Sequence, residues 1–222
     1  MPTSTRSTSN VKMRACSAGN SSSHIGSNPD ARIFGVTATP NRGDRKGLRE
    51  VFDNVADQVR LGELIASGHL VPPRTFVIDV GVHDQLRAVR KTADDYDMGA
   101  VAAIMNRAPI TEEVVRHWQE KAGDRQTVVF CSTVAHAVDV AAAFNEAGNP
   151  AAVVLGDMGS TERKMVLEAY ASGEVQVIVN VAVLTEGWDH PPTSCVVLLR
   201  PSSYKSTMIQ MVGRGLRTVD PT

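Results

Sequence analysis

Short apolar runs alternate with longer amphipathic stretches from Arg32 to the end of this chain. Residues 32–39 form a nearly continuous apolar run that stops at Pro40, as a buried parallel strand does. Asn41-Arg42-Gly43-Asp44 reads as a turn. Helices are predicted over 46–59 and 62–67, the second stopped by Gly68, and a short strand over 75–80. Residues 85–92 and 98–107 predict helices in a connecting region, and 110–121 an amphipathic helix with Thr111 as cap ahead of Glu112 and Glu113. Beyond them come a strand at 127–132, a helix at 135–147, a strand at 151–155 and a helix at 161–172. Strands at 175–181 and 195–199 and a final helix at 204–217 complete the series, with Gly148 and Gly173 ending their helices.

Alternating β and α elements with apolar strands predict an α/β fold, a parallel sheet covered on both faces. In such a sheet ligands bind at the carboxyl ends of the strands. Residues 1–29 break the pattern: they are rich in Ser and Thr, carry no acid and show no hydrophobic period. They read as a disordered or aberrant segment, with a truncated or misread gene start ahead of a transit peptide as its origin.

The final helix carries Gln210-Met211-Val212-Gly213-Arg214-Gly215-Leu216-Arg217. Gln210, Arg214 and Arg217 are four and three residues apart, so a helix would line them up as one polar stripe. Two guanidiniums reaching one point suit a polyphosphate, because each is a planar, multidentate donor that stays charged. Gly213 and Gly215 each cost a helix about 1 kcal/mol relative to Ala, which close backbone approach would offset. A solvated basic helix end is the plain alternative. Upstream, Thr185-Glu186-Gly187-Trp188-Asp189-His190-Pro191 follows the apolar run 175–184.

In wording and order these segments resemble the superfamily 2 DExH-type helicases and translocases, closest to the UvrB-like and type III restriction-like branch. Residues 210–217 resemble motif VI (Q/H-x-x-G-R-x-x-R), and 180–191 resemble motif V, often L-x-E-G-x-D-x-P in that branch. Gly35-Val36-Thr37-Ala38-Thr39-Pro40 resembles motif III, and Val128-Val129-Phe130-Cys131-Ser132-Thr133 resembles motif IV. No G-x-x-x-x-G-K-[ST] loop and no D-E-x-H or D-E-A-D sequence is present.

The resemblance implies a RecA-like (P-loop NTPase-type) parallel sheet, preceded by a remnant of a first RecA-like domain. It divides the chain into 1–29, the remnant at 30–82, a helical connector at 83–108 and the C-terminal RecA-like domain at 109–222. It implies that Arg214 and Arg217 act catalytically, reaching a γ-phosphate bound on the other domain. Gly187, Asp189, Gln210 and Gly213 would face the nucleotide. Thr37, Thr39, Thr133, Gly156, Asp157, Thr185 and Glu186 would contact nucleic acid or couple it to the nucleotide. ATP and Mg2+ would be held mainly by the absent half. The expected partners are nucleic acid, with DNA ahead of RNA, and a chain that supplies the P-loop domain. Alone, the chain is expected to be inactive as an ATPase. A non-catalytic nucleic-acid-binding remnant and a truncated gene product are the open alternatives.

Composition changes little. A hydrophobic share of 42% with 21% charged residues can build a sizeable core. A formal net charge of −1 gives no global pull on nucleic acid, so any binding must come from a local surface. Cys16, Cys131 and Cys195 lack C-x-x-C spacing and suit a reducing, cytoplasmic setting. His69, His83, His117, His136 and His190 are scattered, so no metal site is expected. Asp94-Asp95-Tyr96-Asp97 reads as a solvated, helix-capping run. No apolar run has the length of a membrane span.

Overall fold

A computed structural model describes residues 57–92 and 95–219. The chain divides into two units, Met1–Arg60 and Leu61–Thr222, and the sheet lies wholly in the second. The motif III segment with Thr37 and Thr39, and the strand expected at 32–39, lie outside the described residues.

Among the described residues four short strands form one sheet: β1 (Thr127–Phe130), β2 (Ala151–Val154), β3 (Val177–Asn180) and β4 (Cys195–Leu198). Their order is β2-β3-β1-β4 and every pairing is parallel, so all carboxyl ends share one rim. Among the described residues seven α-helices accompany them: α1 (Leu61–Ala66), α2 (His83–Ala88), α3 (Met98–Met105), α4 (Ala108–Lys121), α5 (Val134–Glu146), α6 (Ser160–Ser172) and α7 (Lys205–Val212). This is the α/β parallel sheet the sequence pattern predicts, and it suits the RecA-like fold that the resemblance implies.

The period of two along each strand sorts the core into two layers. Val129, Cys131 and Val179 point to one face, where they meet Trp118 of α4 and Val140 and Phe144 of α5. Val128, Phe130 and Ile178 point to the other, against Tyr170 of α6 and Met211 of α7. The Trp118 indole meets the Phe144 ring edge-on at 5.1 Å and donates to Thr127 Oγ1 at 2.8 Å, so its one polar atom is satisfied inside the core.

Several local expectations are corrected. Residues 75–80 form no strand, because no neighbour pairs with them among the described residues. Helix α2 ends at Ala88, since the Lys91–Tyr96 bridge and the Thr92–Asp95 turn take over. Helix α4 begins at Ala108 with Pro109 in its first turn, where the missing N–H costs nothing. Thr111 is therefore inside the helix and donates back to the Arg107 carbonyl at 3.3 Å. Asp97 caps α3 by accepting from Ala100 N, but Asp95 is not a solvated side chain. It pairs with Arg200 at 3.0 Å and accepts from Ser203 N at 2.7 Å, ahead of α7.

The final helix is shorter than its spacing suggests. It stops at Val212, and Gly213–Gly215 form one 3-10 turn. A Cβ on Gly215 would lie 2.7 Å from Val196 Cγ2, so only glycine lets this turn rest on β4. Leu216 and Arg217 leave helical geometry altogether. The Leu216 carbonyl accepts from Val71 N at 2.9 Å, and Arg217 bridges Leu70. Arg214 and Arg217 thus do not form a helical stripe. Among the described residues no helix is long and apolar enough to cross a membrane.

Candidate functional site

The loop after β3 leaves the sheet at the carboxyl rim, held by the fully buried Asn180. Its side-chain amide donates to the Val129 carbonyl at 2.9 Å, and its oxygen accepts from Leu184 N at 3.2 Å. One side chain therefore ties the loop both to β1 and to itself. Ala182 takes φ +62°, a left-handed conformation rare for a residue with a Cβ. Leu184 then turns back into the core, and Gly187 reverses the chain again at φ +70°.

Against this loop lies the end of α7. Gln210 Nε2 donates to Glu186 Oε1 at 2.9 Å. The Arg214 guanidinium donates through Nη1 to the Trp188 carbonyl and through Nη2 to the Thr185 carbonyl. Arg217 Nη2 stands 3.5 Å from Asp189 Oδ1, with both side chains about half exposed. Gly213 closes α7 beside them. The structure thus gathers Thr185, Glu186, Gly187, Asp189, Gln210, Gly213, Arg214 and Arg217 into one clasp. Two guanidiniums there face two carboxylates.

Burial, and next the Arg217 charge, push the Arg214 pKa down, while Asp189 and Glu186 push it up. Arg214 Nε and Thr185 Oγ1 are both buried without a hydrogen-bond partner. Buried polar atoms are rarely left so, and these give the clasp unused hydrogen-bonding capacity. An anion's oxygens would suit the guanidinium edge and the hydroxyl alike. Among the described residues no group of three His, Cys, Asp or Glu side chains could hold a metal ion.

The remaining expected residues stand elsewhere on the carboxyl rim. Thr133 follows β1 and caps α5, its Oγ1 accepting from His136 N at 3.2 Å. Gly156 and Asp157 lie exposed in the loop after β2. Arg163 of α6 fixes that loop through Nη2, which donates to the carbonyls of Leu155 and Gly156 at 3.0 Å and of Met158 at 3.3 Å. Sequence spacing gave no hint of Arg163, nor of the cluster behind the clasp formed by Gln126, Tyr170, Trp188 and His190. Those four come from three separate segments, so only folding brings them together.

Comparison with known proteins identifies the family. Residues 108–219, just over half of the chain, match the helicase conserved C-terminal domain family. The ATP-dependent helicase IRC3 of Saccharomyces cerevisiae is 29% identical over 83% of this chain and 27% of its own length. The mitochondrial ATP-dependent helicase irc3 of Schizosaccharomyces pombe is 32% identical over 83% of this chain and 30% of its own. UvrABC system protein B of Chlamydia pneumoniae is 26% identical over 70% of this chain and 22% of its own. The chain spans less than a third of each of these relatives. The matched residues span β1 to β4 and the clasp, and this chain belongs to the helicase conserved C-terminal domain family.

Proposed function

We propose that this chain supplies the arginine-bearing half of an ATP-dependent superfamily 2 helicase or translocase. The observation that carries the reading is the clasp, in which Arg217 is held by a carboxylate it can exchange for phosphate oxygens and Arg214 is fixed beside it with Nε unused. Arg217 has only a half-exposed carboxylate as partner, and such surface pairs are worth about 0–1 kcal/mol, so it is easily drawn away. Arg214 keeps Nε free while its two Nη atoms are anchored. The guanidiniums would offset charge that develops on a transferred phosphoryl group, a contribution on the order of 10³ to 10⁵ in rate. Gly187, Asp189, Gln210 and Gly213 would form the surrounding wall.

The P-loop and the acidic motif that would hold ATP and Mg2+ belong, in this reading, to the rest of the first RecA-like domain. The remnant at 30–82 and the connector at 83–108 would lead to it. When bound there, ATP supplies the phosphoryl group whose loss drives opening and closing. Thr133, Gly156, Asp157, Thr185 and Glu186 would face the nucleic-acid strand, with DNA ahead of RNA. Thr37 and Thr39 would couple strand and nucleotide. Hydroxyls and backbone N–H groups at helix starts are suitable phosphate-backbone ligands. A reducing, cytoplasmic setting suits the two described cysteines, which are free thiols; burial pushes Cys131 up to about 12 and raises Cys195 as well.

The test is ATP hydrolysis by the purified chain, alone and fused to a P-loop RecA-like domain of a close relative, with and without single-stranded DNA. The reading expects no turnover alone, DNA-stimulated turnover in the fusion and its loss in Arg214→Ala. A salt-sensitive gel shift with no turnover in either form would favour a non-catalytic nucleic-acid-binding module instead.

A further inference from the structure

The loop that fixes Arg214 has contacts on two sides. Its outer side meets α7 and the 3-10 turn through Glu186, the Trp188 carbonyl and Asp189. Those contacts brace the loop only from the α7 side, and Asn180 fixes only its start near Leu184. Lacking helix or strand, and carrying Gly187 in a left-handed turn, the loop needs an anchor on its inner side.

That anchor is centred on His190. Its ring stacks on Trp188 with centroids 6.1 Å apart and planes at 22°, and meets Tyr170 edge-on at 5.1 Å. Trp188 itself lies 5.9 Å from Tyr170, which is buried. The polar end of the ring is fixed too. Gln126 Nε2 donates to the Tyr170 carbonyl at 2.5 Å, which orients the amide and leaves Oε1 as acceptor. His190 Nε2 lies 3.0 Å from that oxygen, so Nε2 carries the proton and donates. Gln126 is in turn held by its own backbone, whose carbonyl accepts from Ser194 N and Cys195 N at the start of β4. A continuous path runs from the β1–β4 edge through Gln126 and His190 to the Trp188 ring. The Trp188 carbonyl then accepts from Arg214.

We infer that His190 is a positioning residue for Arg214: its Nε2–H bond to Gln126 sets the Trp188 carbonyl, and through it the guanidinium. The relevance to phosphate chemistry rests on the role proposed above for Arg214, whereas the placement itself does not. Trp188 supplies the stack, Gln126 the fixed acceptor and Tyr170 the wall behind both.

The experiment reads Arg214 directly in the full chain. Arginine Nε–H cross-peaks are followed by 1H–15N correlation, that of Arg214 assigned by its loss in Arg214→Lys. Arg163 and Arg200 serve as internal controls, because their Nε atoms are also buried and unpartnered but lie outside the path. In His190→Ala, solvent exchange of Arg214 Nε–H should rise about tenfold, the factor expected for one lost hydrogen bond, with both controls unchanged. His190→Gln, which keeps an N–H near the Nε2 position, should restore slow exchange. Gln126→Ala removes the acceptor from the opposite side and should give the same selective loss. Unchanged Arg214 exchange in His190→Ala would overturn the inference. So would loosening of all three arginines together, or failure of His190→Gln to restore protection. None of these readouts needs nucleotide, so a fusion without Arg214-dependent turnover would count against the proposed function and leave this inference standing.

Discussion

Arg217 and Asp189 face each other at 3.5 Å across the clasp, yet their backbones are held by different things. Asp189 sits on the loop after β3, while the Arg217 backbone bridges Leu70 in the segment after α1. The pair therefore joins a fixed loop to a segment whose place depends on residues far upstream. Both side chains are about half exposed, so the pair contributes at most about 1 kcal/mol. Asp189→Asn should lower the unfolding free energy measured in urea by no more than that, and Arg217→Ala by a similar amount. A loss of several kcal/mol in either would mean the pair is structural rather than exchangeable.

Arg214 is expected to behave differently. Removing it leaves the carbonyls of Trp188 and Thr185 without their donor in a partly buried place. Arg214→Ala should cost about 1–3 kcal/mol in denaturant unfolding, the usual range for stranding buried polar groups. Arg214→Lys should not recover it, because one ammonium cannot span two carbonyls as a planar fork does. Equal stability of the lysine variant and the parent would show that charge, not fork geometry, holds the loop.

The two left-handed residues of the same loop give opposite predictions. Gly187 has open space around a built Cβ, so Gly187→Ala suffers only the backbone penalty at φ +70°, about 1–2 kcal/mol. Ala182 already bears that penalty at φ +62°. Ala182→Gly relieves it but frees the unfolded chain, which returns about 0.5–1 kcal/mol, so a net gain of up to about 1.5 kcal/mol is expected. Thermal melts of both variants test the pair of signs. Destabilisation by Ala182→Gly would place the strain elsewhere.

Residues 75–80 present a different problem, a β-prone run with no pairing strand among the described residues. Val77 is 95% exposed and Phe76 52% exposed, beside backbone groups that no strand pairs. Exposed segments of this kind are templates for intermolecular pairing. Val77→Lys should lower light scattering of concentrated protein and leave the melting temperature unchanged. Undiminished scattering would put the sticky surface elsewhere.

Segments 127–199 were legible in the sequence because their signals are local. Apolar runs of strand length, helical periodicity and Gly148 or Gly173 after each helix lie within a few residues of what they specify. Where the reading failed, a distant partner decided. The spacing of Arg214 and Arg217 is helical, but contacts of the 213–217 stretch with Val196, Leu70 and Val71 override it. The 75–80 run has strand composition, and composition forms no strand without an adjacent one. The residues of the clasp could be grouped in advance only through the resemblance of two short segments, since their spacing does not say that 185–189 meets 210–217. Arg163, Gln126 and His190 had no such signal, because each acts through backbone or rings contributed by other segments.

His136 makes acid sensitivity a property of the fold itself. It is buried, and Ser132 N donates to its Nδ1 at 3.5 Å, a contact that needs the ring neutral. Burial lowers its pKa below 6.5, with Asp139 opposing in part. His190 is lowered in the same direction, again by burial first and against Asp189. In the unfolded chain both rings titrate near 6.5, so below that pH the unfolded state binds protons that the native state refuses. The unfolded state holds more protons, so the stability contributed by these rings rises with pH through this window. It is complete above about 6.5 and is lost as pH drops toward the depressed native values. Urea unfolding at pH 7.5 and at pH 5.5 should therefore show a lower midpoint in acid. His136→Gln, which cannot take up a proton, should lose less stability than the parent between the two conditions, whatever its starting value. An identical acid loss in His136→Gln would assign the effect to other groups.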